Sequence, residues 1–286
     1  MSRLAVTMTV YGRSDVGSVR TNNEDALLIA DATNASQLGI GELGSTALGG
    51  KQMLLAVSDG MGGENAGEVA SALTLEAMLR TLPYALSQSF AVDALRASID
   101  QANVEVSEAA HTPGREGMGA TLVAALVHDD FVTIAGVGDS RAYLLRTPGT
   151  LARLTRDQSY VQAMIDRGEM TEEEAAFSPQ KNVILQAIGR MPALSLPLSQ
   201  LELRRGDILL LCSDGLTGEV EDGLLREILM SAPSVDVACE RLIEVTNAHG
   251  GRDNVTCIVA VFNGPGLAPA VHNEDIEDTL RIVNAT

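Results

Sequence analysis

Ala120–Leu145 reads ATLVAALVHDDFVTIAGVGDSRAYLL, three apolar runs separated only by short polar breaks. The runs Ala120–Val127, Phe131–Val137 and Arg141–Leu145 have strand length and are rich in Val, Ile and Leu. His128-Asp129-Asp130 makes a tight hairpin turn between the first two. Working outward, further strands are expected at Leu4–Tyr11, Ala26–Ala30 and Met53–Val57, and at Val183–Ile188, Leu198–Leu203, Asp207–Cys212 and Val255–Phe262. Helices are expected at Asn65–Leu82, stopped by Pro83, then at Ser87–Ala110, Asp222–Met230 and Val235–Ala248. Strands arrive in blocks and helices in pairs. That order excludes a doubly wound parallel fold and predicts α+β architecture: a four-layer α-β-β-α sandwich, two antiparallel sheets each covered by a pair of helices.

Between Asp31 and Gln52 the chain is rich in Gly, Ser and Thr and reads as a long loop or hairpin excursion. Its Gly44–Lys51 segment imitates a phosphate-binding P-loop, but Ser45 and Gln52 stand where that loop needs Gly and Ser or Thr. Asp157–Ala176 is polar, is broken at Gly168, and reads as two short protruding helices. After Phe262, Asn263-Gly264-Pro265-Gly266 opens an acidic, low-periodicity tail expected to be partly disordered. The expected division is a catalytic domain over residues 1–263 and a linker and tail over 264–286.

With 38 acidic against 20 basic residues among 286, the formal charge is −18. A surface this acidic repels phosphate backbones, so no nucleic-acid partner is expected. No apolar run is long enough to span a bilayer, and the N-terminus lacks the features of a signal peptide. Cys212, Cys239 and Cys257 are odd in number and far apart, which argues against a disulfide framework and for a reducing cytoplasm.

Most carboxylates on such a chain are solvated surface groups. Some are placed differently. Met53–Val57 ends in Ser58-Asp59-Gly60 and Leu209–Cys212 ends in Ser213-Asp214-Gly215. Gly138-Asp139-Ser140 lies between two strands, Arg252-Asp253-Asn254 precedes the last strand, and Asn23-Glu24-Asp25 precedes the second. An apolar strand that ends in Asp delivers a carboxylate at a sheet edge, where distant segments converge. His111, His128, His249 and His272 show no metal-binding spacing, which disfavours zinc, whereas oxygen-only ligation suits Mg²⁺ or Mn²⁺. Two such ions ~3.5–4 Å apart would form a hydrolytic centre. Paired carboxylates without metal would instead serve glycoside hydrolysis, although aromatic sugar platforms are scarce. No cysteine has Arg six residues later, so a cysteine-based phosphatase is excluded.

Taken in order, these segments resemble the bacterial form of the metal-dependent Ser/Thr protein phosphatases of type 2C, the PPM family. The likeness runs from Thr9 to Phe262 through Gly17–Asp25, Ser58–Gly63, Gly119-Ala120-Thr121, Gly138–Arg141, Ser213–Thr217 and Gly250–Thr256. It implies a protein serine/threonine phosphatase that uses a metal-bridging hydroxide at a binuclear Mg²⁺ or Mn²⁺ centre, with a third ion in some members. In that reading Asp59 bridges two metals and the Gly60 carbonyl serves the second. Asp214 and Asp253 complete the first metal's shell. Asp25, assisted by Glu24, holds the second, and Asp139 joins Asp214 at the third. Arg20 clamps the substrate phosphate and Asn254 orders waters. The segment 157–179 corresponds to the family's variable flap, where Arg153, Arg156 and Arg167 would steer acidic phosphoprotein segments.

The resemblance further implies phosphoprotein substrates and opposition to a Ser/Thr kinase, acting as a monomer. The alternative is an inactive phosphoprotein-binding module of the same fold. Thr279, in Glu277-Asp278-Thr279-Leu280, is a candidate docking site for a phosphothreonine-binding domain. Glu64 departs from the family, because many relatives carry there a His thought to protonate the leaving group. Glu64→Ala is therefore expected to keep most activity while Asp59→Ala abolishes it, and comparable loss in both assays would make Glu64 the acid.

Overall fold

In the computed structural model, residues 5–62, 66–271 and 274–283 are described. The chain opens with β1 (Thr7–Asp15), β2 (Asp25–Asp31), β3 (Ser36–Gln37), β4 (Gly44–Ala47) and β5 (Gln52–Met61), followed by helices α1 (Ala66–Gln88) and α2 (Ala91–Ala109). Next come β6 (Gly119–Ala120), β7 (Leu122–His128), β8 (Phe131–Val137), β9 (Arg141–Arg146) and β10 (Thr150–Arg153). Short helices α3 (Tyr160–Asp166) and α4 (Glu172–Ala176) lead to β11 (Leu198–Glu202), β12 (Arg204–Arg205) and β13 (Ile208–Cys212). Helices α5 (Asp214–Thr217), α6 (Asp222–Ser231) and α7 (Val235–Ala248) precede β14 (Val255–Asn263), β15 (Ala268–Pro269) and β16 (Leu280–Val283).

Two large antiparallel sheets result, beside a small parallel pair of β12 and β15. One has the order β10-β9-β13-β14-β1-β4, the other β16-β11-β8-β7-β5-β2-β3, with β6 pairing the end of β5. The continuous apolar runs are explained by burial on both faces. On β5, Leu54 and Ala56 pack under α1 and α2, while Met53, Leu55 and Val57 face the other sheet. On β13, Leu209 and Leu211 join that inter-sheet core, while Leu210 and Cys212 lie under α6 and α7. The expected α-β-β-α layering is what forms.

Several local expectations change. Pro83 does not stop α1, which continues to Gln88. A proline removes one N–H bond, and Leu82 and Ala85 on either side are buried against the sheet, which holds the last turn in place. Val183–Ile188 is not a strand. It makes only isolated bridges through Ile184 and Ile188, because Val183 and Leu185 face solvent and offer no apolar face to a ladder. The excursion after Asp31 supplies one edge strand to each sheet, β3 beside β2 and β4 beside β1.

The largest correction concerns the tail. Its residues 274–283 pack on the body, and β16 pairs antiparallel with β11, Leu201 opposite Leu280 and Leu198 opposite Val283. Ile276 is fully buried in the inter-sheet core. Charge anchors the rest: Arg204 Nη2 donates to Glu274 at 2.8 Å, and the buried Arg146 grips Asp207 and donates to Thr279 Oγ1 at 2.9 Å. Two apolar side chains, Ile276 and Leu280, and one complementary cation cluster outweigh the acidic composition that suggested disorder. Thr279 is consequently not presented as a free docking site. Its hydroxyl is held between Arg146 and the Ile276 carbonyl oxygen, to which it donates at 2.9 Å. Ile276→Ala is expected to lower unfolding stability by about 2–4 kcal/mol, read as a lower urea midpoint at unchanged m-value; an unchanged midpoint would mean the tail contributes nothing.

Candidate active site

The carboxylates meet where the two sheets end together. In the helix-covered sheet of β5, Asp25 and Asp59 are directly opposite in the β2–β5 ladder, a register that sets their Cβ atoms ~5 Å apart. Gly60 follows because nothing larger fits: a Cβ there would lie 1.9 Å from the Gly67 carbonyl oxygen at the start of α1. In the other sheet, β13 and β14 pair Cys212 with Cys257, which brings Asp214, just past β13, beside Asp253, just before β14. The turn between β8 and β9 adds Asp139.

Buried hydroxyls hold these groups. Ser213 Oγ donates to Asp25 Oδ2 at 2.7 Å, across the sheets, and accepts from the Thr256 backbone N–H at 3.0 Å. Thr121 Oγ1 accepts from the Asp59 backbone N–H at 3.1 Å and lies 2.7 Å from Ser140 Oγ, joining the Asp59 strand to the Asp139 turn. Ser58 Oγ donates to the Thr121 carbonyl oxygen at 2.7 Å. Sequence reasoning passed over these positioning residues, yet a signal was there: Ser58-Asp59, Asp139-Ser140 and Ser213-Asp214 each set a hydroxyl beside the acid.

Electrostatics mark the same cluster. Burial, then repulsion from Asp25, Asp214 and Asp139, pushes the Asp59 carboxyl well above the usual range. Burial raises Asp25 to about 7, opposed by the Ser213 hydrogen bond. Burial and the Asp214 charge raise Asp139 to about 8, and Asp214 is raised by burial and by Asp253. Asp25 Oδ1 is buried with no hydrogen-bond partner. Among the described residues no three acidic, His or Cys side chains are grouped closely enough to hold a metal ion as they stand, although Asp59 is near enough to Asp25, Asp214, Asp139 and Asp253 to be raised by their charge. An all-oxygen donor set with an unpartnered buried oxygen fits hard divalent cations.

The loop between β1 and β2 supplies the cation. Arg20 Nη2 donates to Asp253 Oδ2 at 2.9 Å with its guanidinium half exposed at the rim. Glu24 is partly buried, and burial raises its carboxyl. Asn254 is bonded to the backbone of the Arg20 loop. Its Oδ1 accepts from Glu24 N–H at 2.9 Å, and its Nδ2 donates to the carbonyls of Val16 at 2.9 Å and Asn22 at 2.8 Å. With both N–H donors spent on backbone, Asn254 ties down the Arg20 loop. Glu64 lies outside the described residues.

A cavity of about 570 Å³ runs from Asp139 and Asp214 to Glu172, Ala175 and Lys181 of the α3–α4 flap. At its base Arg141 Nη2 donates to Asp157 Oδ2 at 2.6 Å. Arg153 and Arg156, expected to steer acidic segments, are engaged within the flap region itself, Arg153 with Asp157 and Gln162 and Arg156 with Asp166. Their charge is largely neutralised locally. Because Asp25 and Asp139 titrate near 7 and 8 when folded and near 3.8 when not, the folded protein binds more protons in that window and its stability falls as pH rises through it. With cations chelated, the thermal midpoint is expected to drop between about pH 5 and pH 8, and less so in Asp59→Asn; a flat profile in the unmodified chain would contradict the repulsion.

Residues 42–258 match the family model described as Protein phosphatase 2C. The Serine/threonine protein phosphatase PstP of Mycobacterium tuberculosis is 36% identical over 98% of this chain, which spans about half (51%) of that relative's length. The Serine/threonine phosphatase stp of Listeria innocua is 34% identical over 88% of this chain and 94% of its own. The crystal structure of the PstP catalytic domain in complex with two manganese ions superimposes with a TM-score of 0.74 at 34% identity, covering 90% of this chain and 99% of that one. Site geometry, family model and relatives agree, and the chain belongs to the protein phosphatase 2C family.

Proposed function

We propose that the chain is a metal-dependent protein phosphatase that hydrolyses phosphoserine and phosphothreonine. The observation that carries this reading is the convergence of Asp25, Asp59, Asp139, Asp214 and Asp253 from two sheets, with one Asp25 oxygen buried and unpartnered. Asp59 is suited to bridge two cations, with the Gly60 carbonyl and Asp25 on one and Asp214 and Asp253 on the other. Glu24 supports Asp25's side, and Asp139 with Asp214 would take a third ion. Bound Mg²⁺ or Mn²⁺ would supply Lewis acidity that activates water and offsets phosphoryl charge.

The chain's own groups do the remaining work. Arg20, held at the rim by a single hydrogen bond to Asp253, can turn its planar fork onto two phosphoryl oxygens, a geometry that lysine does not offer. Asn254 fixes the loop that carries it. The hydroxyl chain through Ser58, Thr121 and Ser140 keeps Asp59 and Asp139 from relaxing apart. The flap cavity, continuous with Asp139 and Asp214, is large enough for residues flanking the phosphorylated side chain.

Signalling through reversal of a Ser/Thr kinase is the role this chemistry serves. No helix among the described residues is long and apolar enough to cross a membrane. A reducing cytoplasm is supported by the odd number of cysteines, all three buried in the core. Hydrolysis of p-nitrophenyl phosphate and of a phosphothreonine peptide is expected with Mn²⁺ and not with EDTA. Arg20→Ala is expected to raise KM at least about tenfold. Peptide binding without turnover in Mn²⁺ would instead favour the non-hydrolysing alternative.

A further inference from the structure

Glu219 and Arg252 join the two turns that carry Asp214 and Asp253. The Glu219 carboxylate, its side chain only 7% exposed, accepts from Arg252 Nε at 2.7 Å and from Arg252 Nη2 at 2.9 Å. His249 Nδ1 also lies 3.2 Å from the Glu219 carbonyl oxygen. Two parallel bonds fix the guanidinium in a plane as well as at a distance. Arg252 immediately precedes Asp253. Glu219 closes the turn that begins at Asp214, whose carbonyl oxygen accepts from Gly218 N–H at 2.7 Å.

Gly250 and Gly251, at φ +139° and +52°, let the backbone turn sharply before Asp253, and the Gly251 N–H donates to the Thr246 carbonyl oxygen at 3.1 Å while the Gly251 carbonyl oxygen accepts from Ser18 N–H at 2.8 Å. On the inner side the two turns already touch, since a Cβ on Gly215 would lie 1.9 Å from the Asn254 carbonyl oxygen. The Glu219–Arg252 fork closes the outer side. Exposed ion pairs contribute little to global stability, and here Arg252 is two-thirds exposed. The pair is placed to set geometry.

We propose that Glu219 is a positioning residue for the cation site, acting through Arg252 to hold the Asp253 turn at the spacing from Asp214 that a divalent cation requires. The inference rests on the reading of Asp214 and Asp253 as ligands. Neither Glu219 nor Arg252 belongs to the ligand set assigned to the cation. What they fix is the relative position of two carboxylates from separate turns, so their loss acts on metal affinity before it acts on turnover.

The test is Mn²⁺ binding to the full chain, read by electron paramagnetic resonance of free Mn²⁺ and by titration calorimetry, in Glu219→Gln, Arg252→Gln and the exchanged pair Glu219→Arg with Arg252→Glu. Each single variant is expected to bind Mn²⁺ about tenfold more weakly. The value of kcat at saturating Mn²⁺ should stay within about twofold, and the exchanged pair should recover affinity to within about threefold of the unmodified chain. Single variants that bind as the unmodified chain does, or an exchanged pair no better than the singles, would overturn the proposal. An unmodified chain that fails to bind Mn²⁺ would overturn the underlying metal reading, and this inference with it.

Discussion

Five partly buried carboxylates gathered where two sheets end are the constraint on which the molecule is organised. Like charges opposite one another in a ladder, as Asp25 and Asp59 are, oppose the pairing that brings them there. Burial adds to this by penalising the charged forms of Asp25, Asp59, Asp139 and Asp214. Such an arrangement survives only if the surrounding structure leaves the side chains nowhere to go. Strands buried on both faces provide that rigidity, and the Ser58, Thr121, Ser140 and Ser213 hydroxyls provide local hold. In the proposed reading, the same repulsion would favour a divalent cation placed among them.

Two outlying features support this. The tail closes the free edge of β11, and its Ile276 plugs the inter-sheet core. Beneath it, Arg146 and Asp207 form an ion pair almost wholly out of water, with Arg146 also donating to the Glu202 carbonyl oxygen and to Thr279. A buried pair of this kind is tolerable because its remaining donors are satisfied. At the other end of the sheets, Arg141 and Asp157 root the flap beside Asp139, so flap and cation site share a wall. The cavity therefore opens against groups fixed to the clustered carboxylates.

Much of this was legible in the chain. Consecutive apolar runs with polar breaks, as in Ala120–Leu145, carry antiparallel pairing in their order, and Asp59 and Asp214 stand out because each ends such a run before a glycine. Less legible was anything whose partner is remote. Ser213 reaches Asp25 across 188 positions, and Asn254 spends its amide on backbone more than 230 positions away. Local patterning carries no record of such contacts. Pro83 and Val183–Ile188 were misread for a related reason: propensity marks a break or a strand, but burial of Leu82 and Ala85, and exposure of Val183 and Leu185, determine the result.

The sequence by itself determined most of the core strands and helices, which aspartates stand at strand ends, and the family to which their order belongs. These follow from short-range chemistry, the period of apolar residues and the residues able to turn the chain. The tertiary structure alone decided the rest. It turned an acidic tail into an edge strand because Ile276 and Glu274 found a core and a cation. It also gave Asn254 and Glu219 their places, because a hydrogen bond is fixed by where the fold brings its two ends.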